Sequence, residues 1–526
     1  MRRFRLHTLL SLVAAVSAAM GTCALRAQDD TGGRVVLVLP FDNHSGQPNI
    51  DWIGESFAET IGQRLHAAGF LTISRDDRIY ALDHLGLPAT FRPSRATTIR
   101  IAQTLDAQYV LVGSYTLQDG QVSAQTQVLE VNQLKLSAPL TESAPLAQLL
   151  PLENKLAWRC VRSLDSKFNI ALSSFVAASA PVKLDAYESY IRGVTATTAD
   201  DRLKRLKTAV DLDPTEPEAL LALGKTEYAA LSYDAAAAAL AKIPPSDPLA
   251  LEANFYRGLA RFNNAHYSDA EEAFTAVAAR LPLPEVVNNQ GVAQARQRKD
   301  GTALMQRASA ADPQDPDYHF NVAVALRRRG DAAGARKEID QSMKLRPNDA
   351  EAKELQAVLS GAETAPAGFD PQERIRRTYS EAAFRQAAFQ MDQMRTAKNA
   401  TLPPDQQAAA FAQAGQDYLS QGLVLEAERE FLSALQADPK SWVAHLGLAQ
   451  VRERTGNVAD AHNEAQLSLN GRPTAAAYLV LARLDLQANQ LASAASDVGN
   501  ALRLESTNAA ALAMKQALAA RGTTLP

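Results

Sequence analysis

Apolar positions along the 526-residue chain follow two different rules. From about residue 33 to 175 short apolar runs alternate with helical stripes. Val35–Phe41 is an apolar run of the kind found in a strand covered on both faces. Ile53, Phe57, Ile61 and Leu65 then recur every four residues, which makes one stripe of a helix. Phe70–Ser74 predicts a second strand and Arg95–Leu105 another helix. Gln108–Tyr115 and Val122–Val131 predict two strands joined through Asp119-Gly120, a pair that favours a tight hairpin. Leu134–Leu140 adds a strand, and a helix from Leu146 to Phe168 closes the unit.

From about residue 184 the strand patterns stop and an internal period begins. Pro214, Pro248, Pro282, Pro313, Pro347, Pro439 and Pro473 are separated by 34, 34, 31, 34, 92 and 34 residues. Small residues keep step with them: Gly224, Gly258, Ala323, Gly415 and Ala449 at one position, and Ala236, Ala270, Ala335, Ala427, Ala461 and Ala495 at another. Leu240, Phe274, Ile339 and Phe431 follow four residues after such alanines and fill the space between repeats. Two helices can cross closely only where side chains are this small. Gly330, Gly422 and Gly456 fall between the paired helices, where a helix end calls for positive φ.

A 34-residue helix–turn–helix period is that of the tetratricopeptide repeat. Residues 184–521 resemble an array of about eight such units, the first one degenerate. In the N-terminal part, "VVLVLPFDNHSG" and "AQYVLVGSYTLQDGQVSAQTQVLEV" are similar to the TolB amino-terminal-domain-like module. The stretch after the hairpin lacks the basic-aromatic strand of that module's closest relatives. The resemblance implies a bacterial protein in which the module precedes the repeats, and related folds occur in envelope lipoproteins that assemble secretion channels or activate cell-wall synthases. The expected fold class is α+β, mostly α: a small α/β domain at 33–175, then a helical solenoid.

The repeats lose register between Pro347 and Pro439. The solenoid therefore divides into one array at 184–360 and a second at 404–521. Between them lie a linker at 361–371, "GAETAPAGFDP", and a long inserted helix expected over 372–398. Tyr379, Phe384, Ala388 and Met391 would line one side of that helix, with Arg374, Arg376, Arg377 and Arg385 nearby. It reads either as an elongated repeat helix or as an insertion that docks a partner.

The first residues read as an address. Arg2, Arg3 and Arg5 precede a short apolar core, Leu9 to Met20, and small residues ending at Ala24 or Ala27. This is the pattern of a signal peptide over residues 1–27. The core is too short for a spanning helix, and no other stretch approaches the required length. Periplasmic or secreted location is expected. Met20-Gly21-Thr22 makes a poor lipobox, so lipid anchoring at Cys23 is not expected. Cys160, the other cysteine, reads as a buried thiol.

A net charge of -4 supplies no field for nucleic acid. No zinc, calcium, phosphate-loop or nucleophile-elbow motif occurs, so neither enzyme activity nor a cofactor is expected. The strand end at Asp42, Asn43, His44 and Ser45 has one glycine after it and no lysine, which leaves it as a recognition loop at most. The first helices of the repeats should line a concave groove, whose candidate partner-binding residues are Lys225, Tyr228, Phe255, Phe262, Phe320, Arg327, Gln416, Gln450 and Arg454. Phe255 and Phe320 could equally pack between repeats. The reading is an envelope scaffold that binds protein or peptide partners. The alternative is a periplasmic sensor that holds a small ligand in the 33–175 domain.

Overall fold

The computed structural model describes residues 35–88, 93–166, 168–177, 182–245, 247–377, 394–420 and 423–525. The expected signal peptide with Cys23, the positions Tyr379 to Met391 and Gly422 lie outside them. The N-terminal domain is a mixed sheet of β1 Val35–Val38, β2 Asp42–Asn43, β3 Leu71–Thr72, β4 Tyr109–Gln118, β5 Gln121–Glu130, β6 Lys135–Leu136 and β7 Leu140–Pro145. Its order is β3-β1-β4-β5-β6, with β2 also on β4 and β7 also on β5. β1 runs parallel to β3 and β4, and β4 and β5 form an antiparallel hairpin in which Gln118 faces Gln121. The turn between them is the expected Asp119-Gly120, with φ of 50 and 76.

Alternation along β1 explains its unbroken apolar run. Val36 and Val38 face a cluster built with helices α1 Trp52–Ala67 and, after it in the chain, Leu149–Leu164. Leu37 and Leu39 face the opposite cluster, built with α2 Arg75–His84 and α3 Arg95–Thr104. Leu149–Leu164 is therefore α4. Helix α2 lacks a strong apolar stripe, and periodicity alone misses it. Its start is marked by Ser74, whose Oγ accepts from the Asp77 amide at 3.0 Å and donates to the Asp77 carboxylate at 2.7 Å. The strand expected at Leu134–Leu140 is instead β6 and β7. The longer β7 pairs along β5 from Leu140 to Pro145, and Ser143 donates to Ser123 at 2.9 Å across the pair.

Helix α5 Leu172–Ala177 leads into the solenoid. Array 1 pairs α6 Leu184–Val194 with α7 Ala199–Leu212, α8 Pro217–Ala229 with α9 Tyr233–Leu240, and α10 Ala250–Asn263 with α11 Tyr267–Ala278. It continues with α12 Pro284–Arg296 and α13 Thr302–Ala311, then α14 Pro316–Arg328 and α15 Ala332–Leu345, and ends with α16 Ala350–Ser360. Array 2 pairs α17 Pro404–Ser420 with α18 Val424–Ala437, α19 Trp442–Arg454 with α20 Val458–Gly471, and α21 Ala475–Gln487 with α22 Leu491–Leu504, and ends with α23 Ala509–Ala520.

The small positions of the period are the helix crossings. A Cβ on Gly224 would stand 2.5 Å from Leu240, one on Gly258 2.6 Å from Phe274, and one on Gly415 2.6 Å from Phe431. Ala236, Ala270, Ala335, Ala427, Ala461 and Ala495 are all buried. The turn glycines Gly330 and Gly456 have φ of 81 and 74, yet Leu231, Ala265, Arg298 and Asn489 hold the same left-handed conformation in other repeats. The turn geometry is set by the crossing, and a non-glycine residue tolerates it at a cost of about 1 kcal/mol.

The helix expected to start at Gln372 does not. Residues 371–377 are extended, and 394–399 are helical. The reason is a set of side-chain amides in the groove of array 1 that bind the backbone of Arg374 and Arg376. Array 2 also returns to the N-terminal domain. Leu425 of α18 joins the apolar cluster under α1 and α4, and Arg429 reaches Gly69.

Two predictions follow from this packing. Replacing Gly258 by Ala drives a methyl group into the buried Phe274 ring and should destabilise the protein by roughly 1–3 kcal/mol. Adding Phe274→Leu should restore part of that loss in thermal melts; strictly additive losses would mean that the two sites do not share the crossing. The second concerns Glu153 on α4, which is fully buried and takes hydrogen bonds from Ser56 at 2.5 Å and Thr60 at 2.6 Å. Burial pushes its carboxyl up to about 8, against the two hydroxyls. Burial also lifts Glu216 to about 8 and Glu218 to about 7. A native carboxyl that holds its proton above the unfolded value of about 4.3 favours the folded state at low pH. Stability is then greatest below that value and falls as pH rises toward 8. Melting temperature should drop between pH 5 and pH 8, and Glu153→Gln should flatten the drop; an unchanged slope would contradict the assignment.

Candidate functional site

The concave side of array 1 carries three side-chain amides in a row. Asn288 and Asn289 lie on α12 and Asn321 on α14, 33 residues after Asn288. All three are fully buried. Asn321 Nδ2 donates to Asn288 Oδ1 at 2.8 Å, which couples neighbouring repeats. A primary amide has two donors and an acceptor to satisfy, and burying them unpaired costs about 1–3 kcal/mol.

Their partner is the chain's own backbone at 369–377. The Arg374 amide donates to Asn321 Oδ1 at 2.6 Å, and its carbonyl accepts from Asn321 at 2.8 Å and Asn288 at 3.1 Å. Two residues on, the Arg376 amide donates to Asn289 Oδ1 at 2.7 Å and its carbonyl accepts from Asn289 at 2.8 Å. Both residues thus give their N–H and C=O to side chains. A helix would need those groups for its own ladder, which is why the segment is extended. Extension also turns Arg374 and Arg376 to one side of the chain.

Charged groups of the groove take the side chains. Glu373, 3% exposed, is paired with Arg296 of α12 and Arg328 of α14. The Arg374 guanidinium lies 3.8 Å from the Phe320 ring centroid. It bonds Asp317 at 2.8 Å, Asp349 at 2.6 Å and Glu351 at 2.9 Å. Those hydrogen bonds from Arg374 hold the Asp349 carboxyl down at about 2. Arg376 pairs with Asp315 and covers the Tyr318 ring. At the other end Arg327 stacks on Phe369 and bonds its carbonyl at 3.3 Å. Phe369 and Ile375 add apolar contact with the array.

Of the residues singled out from the sequence, Phe320 and Arg327 touch this segment directly, and Phe262 lies beside it under Arg296 at 5.8 Å. Phe255 is buried between repeats against Phe274. Lys225 is taken by Glu252 at 2.7 Å and by Asp76 of the N-terminal domain at 3.7 Å. Tyr228 packs on Tyr233 and Tyr256. In array 2, Gln416 and Gln450 are half-buried, and Arg454 bonds the Leu419 carbonyl. Sequence reasoning missed the asparagines and Arg296, Arg328, Asp317 and Asp349. A signal exists in Asn254, Asn288 and Asn321, spaced at nearly the repeat length. It is imperfect, because Asn254 turns to its own helix at Ala250.

The loop at Asp42–Ser45 is tied to itself and to the sheet. Ser45 Oγ accepts from the Leu117 amide at 2.6 Å, Asn43 bonds Gln47 and Asp51, and the His44 amide bonds Tyr115. The His44 side chain is exposed. Two cavities of about 720 and 650 Å³ lie where the N-terminal domain meets the arrays, and Asp42–Ser45 lines neither. Among the described residues no group of His, Cys, Asp and Glu is placed to hold a metal ion, and no helix is long and apolar enough to cross a membrane. Cys160 is a free, buried thiol, pushed up to about 12 by burial.

Amide exchange tests the backbone clamp. The amides of Arg374 and Arg376 should exchange slowly although they belong to no helix or strand. Asn321→Ala should speed exchange at Arg374 roughly tenfold and leave Arg376 nearly unchanged. Equal loss at both would mean that the segment detaches as a unit.

No curated protein matches the chain. Among solved structures, it is similar to MamA 41-end from Desulfovibrio magneticus RS-1, at 22% identity over 31% of this chain and 96% of that one, with a TM-score of 0.29. It is similar to a thermophilic TPR protein in Thermus thermophilus, at 16% identity over 33% and 98%, with a TM-score of 0.26. It is also similar to the LpoB C-terminal domain from Escherichia coli, at 24% identity over 24% and 93%, with a TM-score of 0.20. Residues 294–350 and 412–476 match the tetratricopeptide repeat family model, one stretch in each array, so the solenoid carries tetratricopeptide repeats in both of its halves.

Proposed function

We propose that the protein is an exported interaction scaffold of the bacterial envelope that binds protein partners through the grooves of its repeats. One observation carries the reading: the array 1 groove already holds an extended chain by its backbone and by its charges. Surfaces that bind peptides need these features, and catalysis does not. The signal-peptide pattern at residues 1–27 supports export, and the likeness of residues 33–175 to the TolB amino-terminal module supports an envelope role in which that domain docks a second partner. The sensor reading has less support, because the Asn43 side chain is taken by Gln47 and Asp51 within the loop and Ser45 ties the loop to β4.

The test uses the full chain, expressed with its own N-terminus in a Gram-negative host. A photoreactive residue is placed at Gln416 or Gln450 in the array 2 groove, and at the exposed Lys337 on a second helix as control. The expected result is recovery from the periplasm, an N-terminus cut after Ala24 or Ala27, and discrete protein adducts from the groove positions only. Retention of residues 1–27 in the cytosol overturns export. Absence of groove-specific protein adducts, with a small molecule co-purifying, overturns the scaffold.

A further inference from the structure

The groove of array 1 is full, and what fills it comes from the same chain. The occupant is not woven into the fold as a strand or helix would be. Among the described residues no backbone-to-backbone hydrogen bond joins 370–377 to the array; the bonds run from groove side chains. The approach to it, residues 361–368, is exposed throughout, with Gly361 and Gly368 at positive φ. The contacts also divide by what they read. Asn288, Asn289 and Asn321 bind main chain and would accept any extended sequence. Arg296 and Arg328 select an acidic side chain, while Asp317 and Asp349 select a guanidinium next to it. Removing the occupant strips the three amides of their main-chain partners, leaving only their bonds to one another, and takes a guanidinium from Asp317 and Asp349 and a carboxylate from Arg296 and Arg328, so the groove calls for a replacement of the same kind.

We propose that residues 369–377 are an internal pseudo-ligand. The groove takes in their place an extended peptide of a partner protein carrying the same order of groups: an acidic residue, an arginine, an apolar residue and a second arginine, as in Glu373-Arg374-Ile375-Arg376. This rests on the scaffold reading and deepens it. The tether gives the internal segment an effective concentration that an outside peptide must beat. The apparent affinity for a partner is therefore reduced by the fraction of molecules whose groove is open. The resting protein is self-blocked at array 1, and partner binding frees the segment.

The probe is a labelled synthetic peptide with the sequence of residues 369–377, titrated into the full-length protein by fluorescence anisotropy. The chain is compared with the variant E373A/R374A/R376A, which weakens the occupant and leaves every groove residue intact. The variant should bind the probe on the order of ten- to a hundredfold more tightly than the unaltered chain. Adding Asp349→Asn and Asn321→Ala to it should abolish that gain, and a probe with Glu and the first Arg exchanged should not bind. A second form keeps the natural segment and carries a protease site within 361–368; cutting it should also raise affinity. Equal affinity for all forms, or no binding to a variant whose melting temperature is unchanged, overturns the proposal. These outcomes leave the array 2 adducts untouched, so the two readings fail separately.

Discussion

The smallness of the side chain at the helix crossings, glycine or alanine, is the constraint on which the rest of the solenoid depends. Gly224, Gly258 and Gly415 let Leu240, Phe274 and Phe431 lie where a Cβ would otherwise stand. Interiors are packed at crystal-like density, so the pair can close in only one way. Repeating that close contact stacks the first helices side by side. Asn288 and Asn321, 33 residues apart in the chain, thereby come within 2.8 Å of each other. A surface that can grip a peptide over three repeats is a consequence of how the helices behind it touch.

That surface carries an obligation of its own. Buried amides must be paired, and here the pairing is with a main chain that has no other regular structure. The ion pairs around it are unequal. Those of Arg374 are partly open to water and contribute modestly one by one. Glu373 is enclosed, so loss of either arginine would leave a carboxylate buried with half its compensation. Backbone recognition therefore supplies the hold, and the enclosed carboxylate supplies the register.

The N-terminal domain and the arrays are physically joined. Lys225 reaches Asp76, Tyr187 meets Thr60 at 2.9 Å, and Leu425 enters the apolar cluster of α1 and α4. Lys225 looked like a groove residue because its spacing is right, but a neighbouring domain claims the end of that groove. The loop from Asp42 to Ser45 looked like a recognition loop because strand ends in α/β folds often are. The side chains of Asn43 and Ser45 close a turn there and tie it to β4, while that of His44 is exposed.

The amino-acid sequence by itself determined the period, the crossings and the two-sided burial of β1. Each depends on residue size or polarity at a short, regular spacing, which a single chain displays directly. It determined the array 1 groove only in part: Phe320 and Arg327 follow from position in the repeat. The tertiary structure alone decided that residues 371–377 are extended. Their composition suits a helix, and an arginine-rich stretch after a proline carries no local signal against one. What overrides that preference is a set of amides contributed by α12 and α14, more than 50 residues upstream. Local propensity is worth tenths of a kcal/mol per residue, whereas each buried amide left unpaired costs more than that, so the distant partner wins.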